Sequence, residues 1–288
     1  MVDIADPRGH GSIMWLGDHD PDAVAWRLAD VAAETGRLLR SMEADRGEPR
    51  IKDDGSPTTA ADLAAEKLII ARLSRLWPGV PVVAEETAND AAPGDAFFLV
   101  DPLDGTRDFL HGTGEYTVNI ALVAGSRPVA AVVAAPVPGR IWAAGATAMA
   151  GDWPAEGGEI AWRSIRVRPA PPDGLVALVS RRHNDDATEA CLATLSIRTR
   201  RTASSALKFC LIASGEADVY VRCGPTMEWD TAAGDHILSC AGGCVIAAGG
   251  APMTYGRQAH GYRNGAFAAI GDPALARRLS LPVAPVRG

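Results

Sequence analysis

AFFLVDPLDGTRDF, Ala96 to Phe109, decides how this 288-residue chain is read. Its first five residues are apolar and rich in Phe, Leu and Val, the composition of a short strand buried on both faces. Two carboxylates follow, Asp101 and Asp104, set around Pro102, which fixes its own φ and removes a backbone donor. Gly105 then lets the chain turn into a helix, whose first N–H groups at Gly105 and Thr106 are placed to hold an anion. Asp-x-x-Asp-Gly is also a common turn composition, so taken alone the stretch need be no more than a solvated turn closing a strand.

Working outward, the chain alternates between strand-like and helix-like patterns. From Asp22 to about Met42, Val24, Leu28, Val31, Leu38 and Leu39 recur at helical spacing. EADRGEPRIKDDGSP reads as a loop. A second helix carries Leu63, Ile69, Ile70, Leu73, Leu76 and Trp77, and stops at Pro78-Gly79. VPVVA is a second short buried strand ending in acids. TVNIALV and PVAAVVAAPV read as an antiparallel pair around Gly125-Ser126. Between Pro136 and Glu159 the pattern loosens, and the domain boundary is placed there. That gives an N-terminal α+β lobe over residues 20–150, carrying most candidate metal ligands, and a C-terminal α/β lobe over 151–288. In the second lobe LVALVS and ADVYVR read as strands; ATEACLATL, SSALKFCLIAS and TAAGDHILSCAG read as helices. The expected fold class is α+β, layered, with two lobes and a cleft between them.

Composition narrows the function. With 47% apolar and 22% charged residues the chain has enough apolar matter for a sizeable core. A net charge of −7 disfavours a nucleic-acid polymer as partner, because binding a polyanion needs a basic surface. An anionic small substrate would need metal cations to supply positive charge. The cysteines, Cys191, Cys210, Cys223, Cys240 and Cys244, are odd in number and form no CxxC, which fits neither a disulfide framework nor a zinc site. A reducing cytoplasm is the expected compartment. The first residues have early acids and no apolar h-region, so no signal peptide is read there. The most apolar run, Thr117 to Val137, is interrupted by Asn119, Arg127 and two prolines, and no integral membrane segment is expected.

Acids gather at three places: Glu85-Glu86 after VPVVA, Asp101 and Asp104 after AFFLV, and Asp230 in WDTAAG, Trp229 to Gly234. Each has an ordinary reading, Asp230 as a helix cap for example. Together they suit hard divalent cations, which take oxygen ligands in near-octahedral geometry. Two such ions about 3.5–4 Å apart need one bridging carboxylate and flanking ones. The Leu103 carbonyl is a further oxygen donor between Asp101 and Asp104.

DPLDGTRDF at Asp101–Phe109 and WDTAAG at Trp229–Gly234 resemble the paired signatures of the inositol monophosphatase superfamily of Mg²⁺-dependent phosphatases. AEET at Ala84–Thr87 and DGSPTTAAD at Asp54–Asp62 stand where that superfamily has its other two motifs, and the match runs from about Lys52 to Gly243. Ala84 replaces a usual Gly, and Thr58 a usual aliphatic residue; neither is a ligand position. The resemblance implies a two-lobed α-β-α-β-α sandwich of the sugar-phosphatase type, a small phosphorylated substrate and lithium sensitivity. It also implies two Mg²⁺ per site, with a third, looser one near Glu85. Glu85, Asp101 and the Leu103 carbonyl would hold the first ion, and Asp101, Asp104 and Asp230 the second. Asp62, Thr106 and Glu85 would be the catalytic set, with Thr106 and Asp62 helping to activate a water. Thr59-x-x-Asp62 equally fits a helix capping box, a role that can coexist with the catalytic one.

GEYTVNIALV, SRRH at Ser180–His183 and the run Ser204–Gly234 resemble one branch, the bacterial 3'(2'),5'-bisphosphate nucleotidases. That branch removes the 3'-phosphate of 3'-phosphoadenosine 5'-phosphate, a by-product of sulfate assimilation. The similarity assigns Ser205, Lys208, Arg222 and His183 to the nucleotide side of the site, joining Gly105 and Thr106 as substrate contacts. Lys and Arg suit a second phosphate, which an inositol or sugar monophosphate lacks. An inositol or sugar phosphatase is the alternative within the superfamily, and a non-catalytic nucleotide-binding protein the remote one. Ser205-x-x-Lys208 also matches an acyl-serine motif, but Ser-Asp-Asn and Lys-Thr-Gly are absent. The sequence does not choose between a monomer and a homodimer. Peripheral association with the inner membrane occurs among relatives, and the net acidity here gives it no support.

Overall fold

A computed structural model of the chain describes residues 20–53, 55–88, 93–154, 158–181 and 185–283. Helix α1 spans Pro21–Met42, with Asp20 capping it by accepting from the Asp22 N–H at 3.1 Å. It buries Val24, Leu28, Val31 and Leu39. Within the expected loop, β1 (Arg50–Ile51) and β2 (Pro57–Thr58) pair as a small antiparallel hairpin. Helix α2 (Ala60–Leu76) starts at the Thr59 capping box. Its inward face is Ala61, Ala65, Ile69 and Leu73, whereas Leu63, one of the apolar residues that marked the helix, is 54% exposed.

Next come β3 (Val82–Ala84), β4 (Ala96–Asp104), the one-turn helix α3 (Thr106–His111), β5 (Thr117–Ala124) and β6 (Arg127–Ala135). Gly125 and Ser126 both take positive φ, 56° and 72°, the geometry a two-residue hairpin turn requires. The loosened stretch is not a linker: it holds β7 (Arg140–Ala144) and β8 (Ala148–Asp152), and β9 (Ala161–Ser164) follows. These strands are alanine-rich where α1 and the later helix α6 press close. A Cβ on Gly145 would fall 2.2 Å from the Pro21 carbonyl carbon. Strand pattern is weak there because close approach selects small residues over β-branched ones. The seven strands β3 to β9 lie in sequence order, β3 and β4 parallel and all others antiparallel.

The remaining chain forms β10 (Leu175–Val179), α4 (Asp186–Leu192), β11 (Ile197–Thr202), α5 (Leu207–Ala213), β12 (Val219–Arg222), β13 (Thr226–Met227), α6 (Ala232–Cys240), β14 (Cys244–Ala247), β15 (Arg263–Asn264) and β16 (Phe267–Ile270). A second sheet runs β11-β10-β12-β16-β14, and β13 pairs with β15 on its own. Helices α1 and α2 cover one face of the first sheet; α5 and α6 lie between the two sheets; α4 packs on β12 beyond the second. The result is the five-layer α-β-α-β-α sandwich. No helix among the described residues is long and apolar enough to cross a membrane.

Candidate active site

The acids of the Asp101–Asp104 stretch are not in a turn but inside β4, and a bulge aligns them. Asp101 sits opposite Asn119, whereas Asp104 sits opposite Thr117, so three steps on β4 match two on β5. In a regular strand residues three apart face opposite sides. The extra residue returns Asp104 to the face of Asp101, toward the layer between the sheets. Pro102 lies in the bulge, where a missing N–H is tolerated.

Glu85, Asp101, Asp104 and Asp230 all line one cavity of about 520 Å³, into which Leu103 and Thr106 also face. Each acid is held by protein donors. Leu103 N–H donates to Asp101 Oδ1 at 3.1 Å. Asn119 Nδ2 and the Ala206 N–H donate to Asp104 Oδ2 at 3.1 and 2.8 Å. The Met227 N–H donates to Asp230 Oδ2 at 2.7 Å, where a 3₁₀ turn leads into α6. Lys52, on the β1–β2 hairpin, donates to Glu85 Oε1 at 2.9 Å and Glu86 Oε1 at 2.7 Å. Burial first, then the charges of Glu85, Asp104 and Asp230, push the Asp101 carboxyl well above the usual carboxylate range. Burial and the Asp104 charge do the same to Asp230.

Asp62 lies beneath the cavity, 1% exposed, and divides its two oxygens. Oδ2 accepts from the Thr59 N–H at 2.8 Å and the Thr59 hydroxyl at 2.6 Å, closing the capping box of α2. Oδ1 accepts from the Thr106 hydroxyl at 2.9 Å. Capping and contact with Thr106 therefore coexist on separate atoms.

The opposite wall comes from the second half of the chain. Ser205, in a left-handed conformation (φ 57°), donates from Oγ to the Asp104 carbonyl at 2.8 Å. Gly105 must be glycine against it: its φ is +104° and a Cβ would stand 2.7 Å from Ser205 Oγ. Arg222, at the end of β12 and 8% exposed, lines the cavity while donating from Nε and Nη2 to the carbonyls of Gly224 and Pro225. Lys208 lines it too, but its ammonium is buried. It donates to the carbonyls of Ser205 and Ala203 at 2.9 and 3.3 Å and lies 4.8 Å from the Tyr220 ring centre. Burial lowers its pKa to about 8, against the pull of Asp104. His183 lies outside the described residues, as does Asp54 of the second motif.

The sequence profile of the inositol monophosphatase family matches residues 21–277. The chain belongs to that family. Family members similar to it include the 3'(2'),5'-bisphosphate nucleotidase CysQ of Escherichia coli K12, 41% identical over 211 residues, or 71% of this chain and 81% of that one. Among solved structures of the family, CysQ from Bacteroides thetaiotaomicron superposes with a TM-score of 0.74 at 33% identity, covering 86% of this chain and 97% of that one. An inositol monophosphatase from Thermotoga maritima, TM-score 0.73 and 22% identical over 89% of this chain and 95% of its own, shares the fold. The chain is thus an enzyme of a metal-dependent phosphatase family.

The donors fit such a metal. All are oxygens, and the hydrogen bonds on Asp101, Asp104 and Asp230 fall on a single oxygen of each, as carboxylates held by outer donors present themselves to an ion. Sequence reasoning missed Asn119, which orients Asp104; its signal was a lone amide in an apolar strand. Lys52 stands in the stretch expected as a loop, and its ammonium bridges Glu85 and Glu86. Arg263, which lines the cavity from β15, left no local signal.

Proposed function

We propose that the protein is a Mg²⁺-dependent phosphomonoesterase that hydrolyses the 3'-phosphate of 3'-phosphoadenosine 5'-phosphate to AMP and phosphate, clearing a by-product of sulfate assimilation. The observation that carries the reading is the Thr106–Asp62 hydrogen bond at the edge of the carboxylate-lined cavity. Glu85, Asp101, the Leu103 carbonyl, Asp104 and Asp230 are the residues that would hold two Mg²⁺, and the family resemblance would add a third, looser one near Glu85. Bound Mg²⁺ supplies Lewis-acid polarisation of the phosphoryl oxygens and of the attacking and leaving oxygens.

The chain's own residues do the rest. Asp62 Oδ1 accepts the Thr106 hydroxyl proton, which leaves the lone pairs of Thr106 Oγ1 free to accept from a water and aim its oxygen at phosphorus. The water oxygen bonds to phosphorus as one of its protons passes to Thr106 Oγ1 and the Thr106 hydroxyl proton passes to Asp62 Oδ1, from which it returns to solvent; the bond to the ribose O3' breaks, and O3' leaves with a proton from solvent. Gly105 and Thr106 N–H groups face the phosphoryl oxygens. Ser205, Arg222 and His183 take the nucleotide side, and Lys208 shapes it by holding the turn through Ala203 and Ser205. On this reading residues 20–150 form the metal-holding lobe and 151–288 the substrate-holding lobe. Five free cysteines support a cytoplasmic location.

A second reading, an inositol- or sugar-phosphate phosphatase, draws support from Lys208. Its engagement with backbone carbonyls weakens the basic pair that a second phosphate would use. The test is phosphate release from 3'-phosphoadenosine 5'-phosphate, inositol 1-phosphate and fructose 1,6-bisphosphate, with and without Mg²⁺. The proposal expects the nucleotide to be turned over fastest and only with metal. Equal or faster release from inositol phosphate overturns the nucleotidase assignment.

A further inference from the structure

The cationic wall of the cavity is made by Arg107, Arg181, Lys208, Arg222 and Arg263. Most of these are engaged within the protein. Arg107 donates to the Gly55 carbonyl, and Arg181 pairs with Glu115. Lys208 is fastened to the Ala203 and Ser205 carbonyls, and Arg222 gives two of its nitrogens to the carbonyls of Gly224 and Pro225. Arg263 differs: it is exposed at the cavity and has no ion pair or side-chain hydrogen bond among the described residues.

Its mount is rigid. Arg263 lies opposite Met227 in the β13–β15 pair, and the Met227 N–H is the one that holds Asp230. The next residue, Asn264, is 7% exposed and donates to Thr226 Oγ1, the Met227 carbonyl and Thr231 Oγ1. The preceding residue, Tyr262, is buried in a left-handed conformation (φ 57°), with its carbonyl accepting from the Glu228 N–H. A bulky residue adopts that conformation at a cost and keeps it only where its surroundings over-determine it. The backbone that aims Arg263 is therefore fixed next to Asp230. A guanidinium with its whole planar fork of donors free suits a phosphate bidentately.

We infer that Arg263, fixed beside Asp230 with its donors unengaged, receives the non-reacting phosphate of the bisphosphate substrate, together with the remaining N–H groups of Arg222. This rests on the nucleotidase reading, and it moves the second-phosphate contact from Lys208 to Arg263. Arg263 then sets discrimination between bisphosphate and monophosphate nucleotides.

The test is steady-state hydrolysis of adenosine 3',5'-bisphosphate and adenosine 3'-monophosphate by wild type and Arg263→Gln. The substituted side chain is exposed, so the fold is kept, and an unchanged melting temperature checks this. The wild type is expected to favour the bisphosphate. In Arg263→Gln the ratio of the two kcat/KM values is expected to fall about 10- to 100-fold, through KM for the bisphosphate, as for a lost charge-assisted hydrogen-bond pair. A ratio within twofold of wild type, on an enzyme that does prefer the bisphosphate, overturns the role of Arg263 and leaves the nucleotidase reading standing. A wild type without that preference overturns both.

Discussion

Replacing Asp62 by Asn and by Ala separates its two tasks, because the structure puts them on different oxygens. Oδ2 serves the helix cap through Thr59, and Oδ1 takes the Thr106 hydroxyl. Asn keeps one acceptor oxygen and prefers to aim it at Thr59, where two donors converge. Its NH₂ then faces Thr106 Oγ1, which must accept instead of donate, and the hydroxyl proton turns toward the water it should orient. The cap survives while the proton chain is reversed. We expect Asp62→Asn to change stability by under about 1 kcal/mol, since it also removes a buried charge. Turnover should fall about 10²- to 10⁴-fold, the scale of a lost general base. Asp62→Ala loses the cap, about 1 kcal/mol, and leaves the Thr59 and Thr106 donors without an acceptor, about 1–3 kcal/mol more. At roughly 2–4 °C per kcal/mol for a chain of this size, its melting temperature should drop by about 5–15 °C. Thr106→Val should cost turnover comparably, and the double variant Asp62→Asn with Thr106→Val should be little worse than either single one, because residues acting as a unit do not add. The assays are thermal melts and kcat at saturating substrate and metal. An Asn variant with kcat within threefold of wild type would refute the reasoning and leave Asp62 as a cap alone.

Other outcomes follow from the same geometry. Asp101→Asn should abolish turnover, as should excess chelator on the wild type; substantial phosphate release in either case contradicts a metal held by these acids. Lys52→Met frees Glu85 from a partly buried ion pair, its side chains 23% and 24% exposed, worth about 1 kcal/mol or less. Mn²⁺ binding, followed by electron paramagnetic resonance without substrate, should tighten by up to about fivefold, and weaker binding refutes the competition. His236, whose Nε2 donates to the Gly145 carbonyl at 3.0 Å, has its pKa lowered by burial from 6.5 to about 4. The unfolded chain therefore binds the extra proton first, and stability falls as pH drops below about 6.5. Between pH 7 and pH 5 the contribution of this group should fall by about 2 kcal/mol, read as the difference in pH dependence of urea-derived stability between wild type and His236→Gln, because the raised carboxyls of Asp101 and Asp230 act in the opposite direction in both proteins. A loss of the same size in His236→Gln would assign it elsewhere.

What the sequence by itself determined is what local pattern and local chemistry encode. Helical spacing marked α1 and α2, Gly125-Ser126 marked the β5–β6 hairpin, and the acids at Glu85, Asp101, Asp104 and Asp230 with their flanking residues marked the family. The five-layer sandwich was legible from those. The Ala-rich β7 and β8 were not, because their residues are chosen by the close approach of helices far away in the chain. The same holds within the site. A three-residue spacing does not say which way two side chains face along a strand; the bulge against β5 decides that Asp101 and Asp104 share a side. That Asp62 could both cap α2 and meet Thr106 was legible; that each task has its own carboxylate oxygen was decided by the fold. The resemblance assigned Lys208 to the nucleotide side; the fold alone shows that its ammonium is buried over Tyr220 and donates to the Ala203 and Ser205 carbonyls. Arg263 had no pattern at all. Which donors a side chain has left depends on neighbours distant in sequence, and only the folded chain brings them within hydrogen-bonding reach.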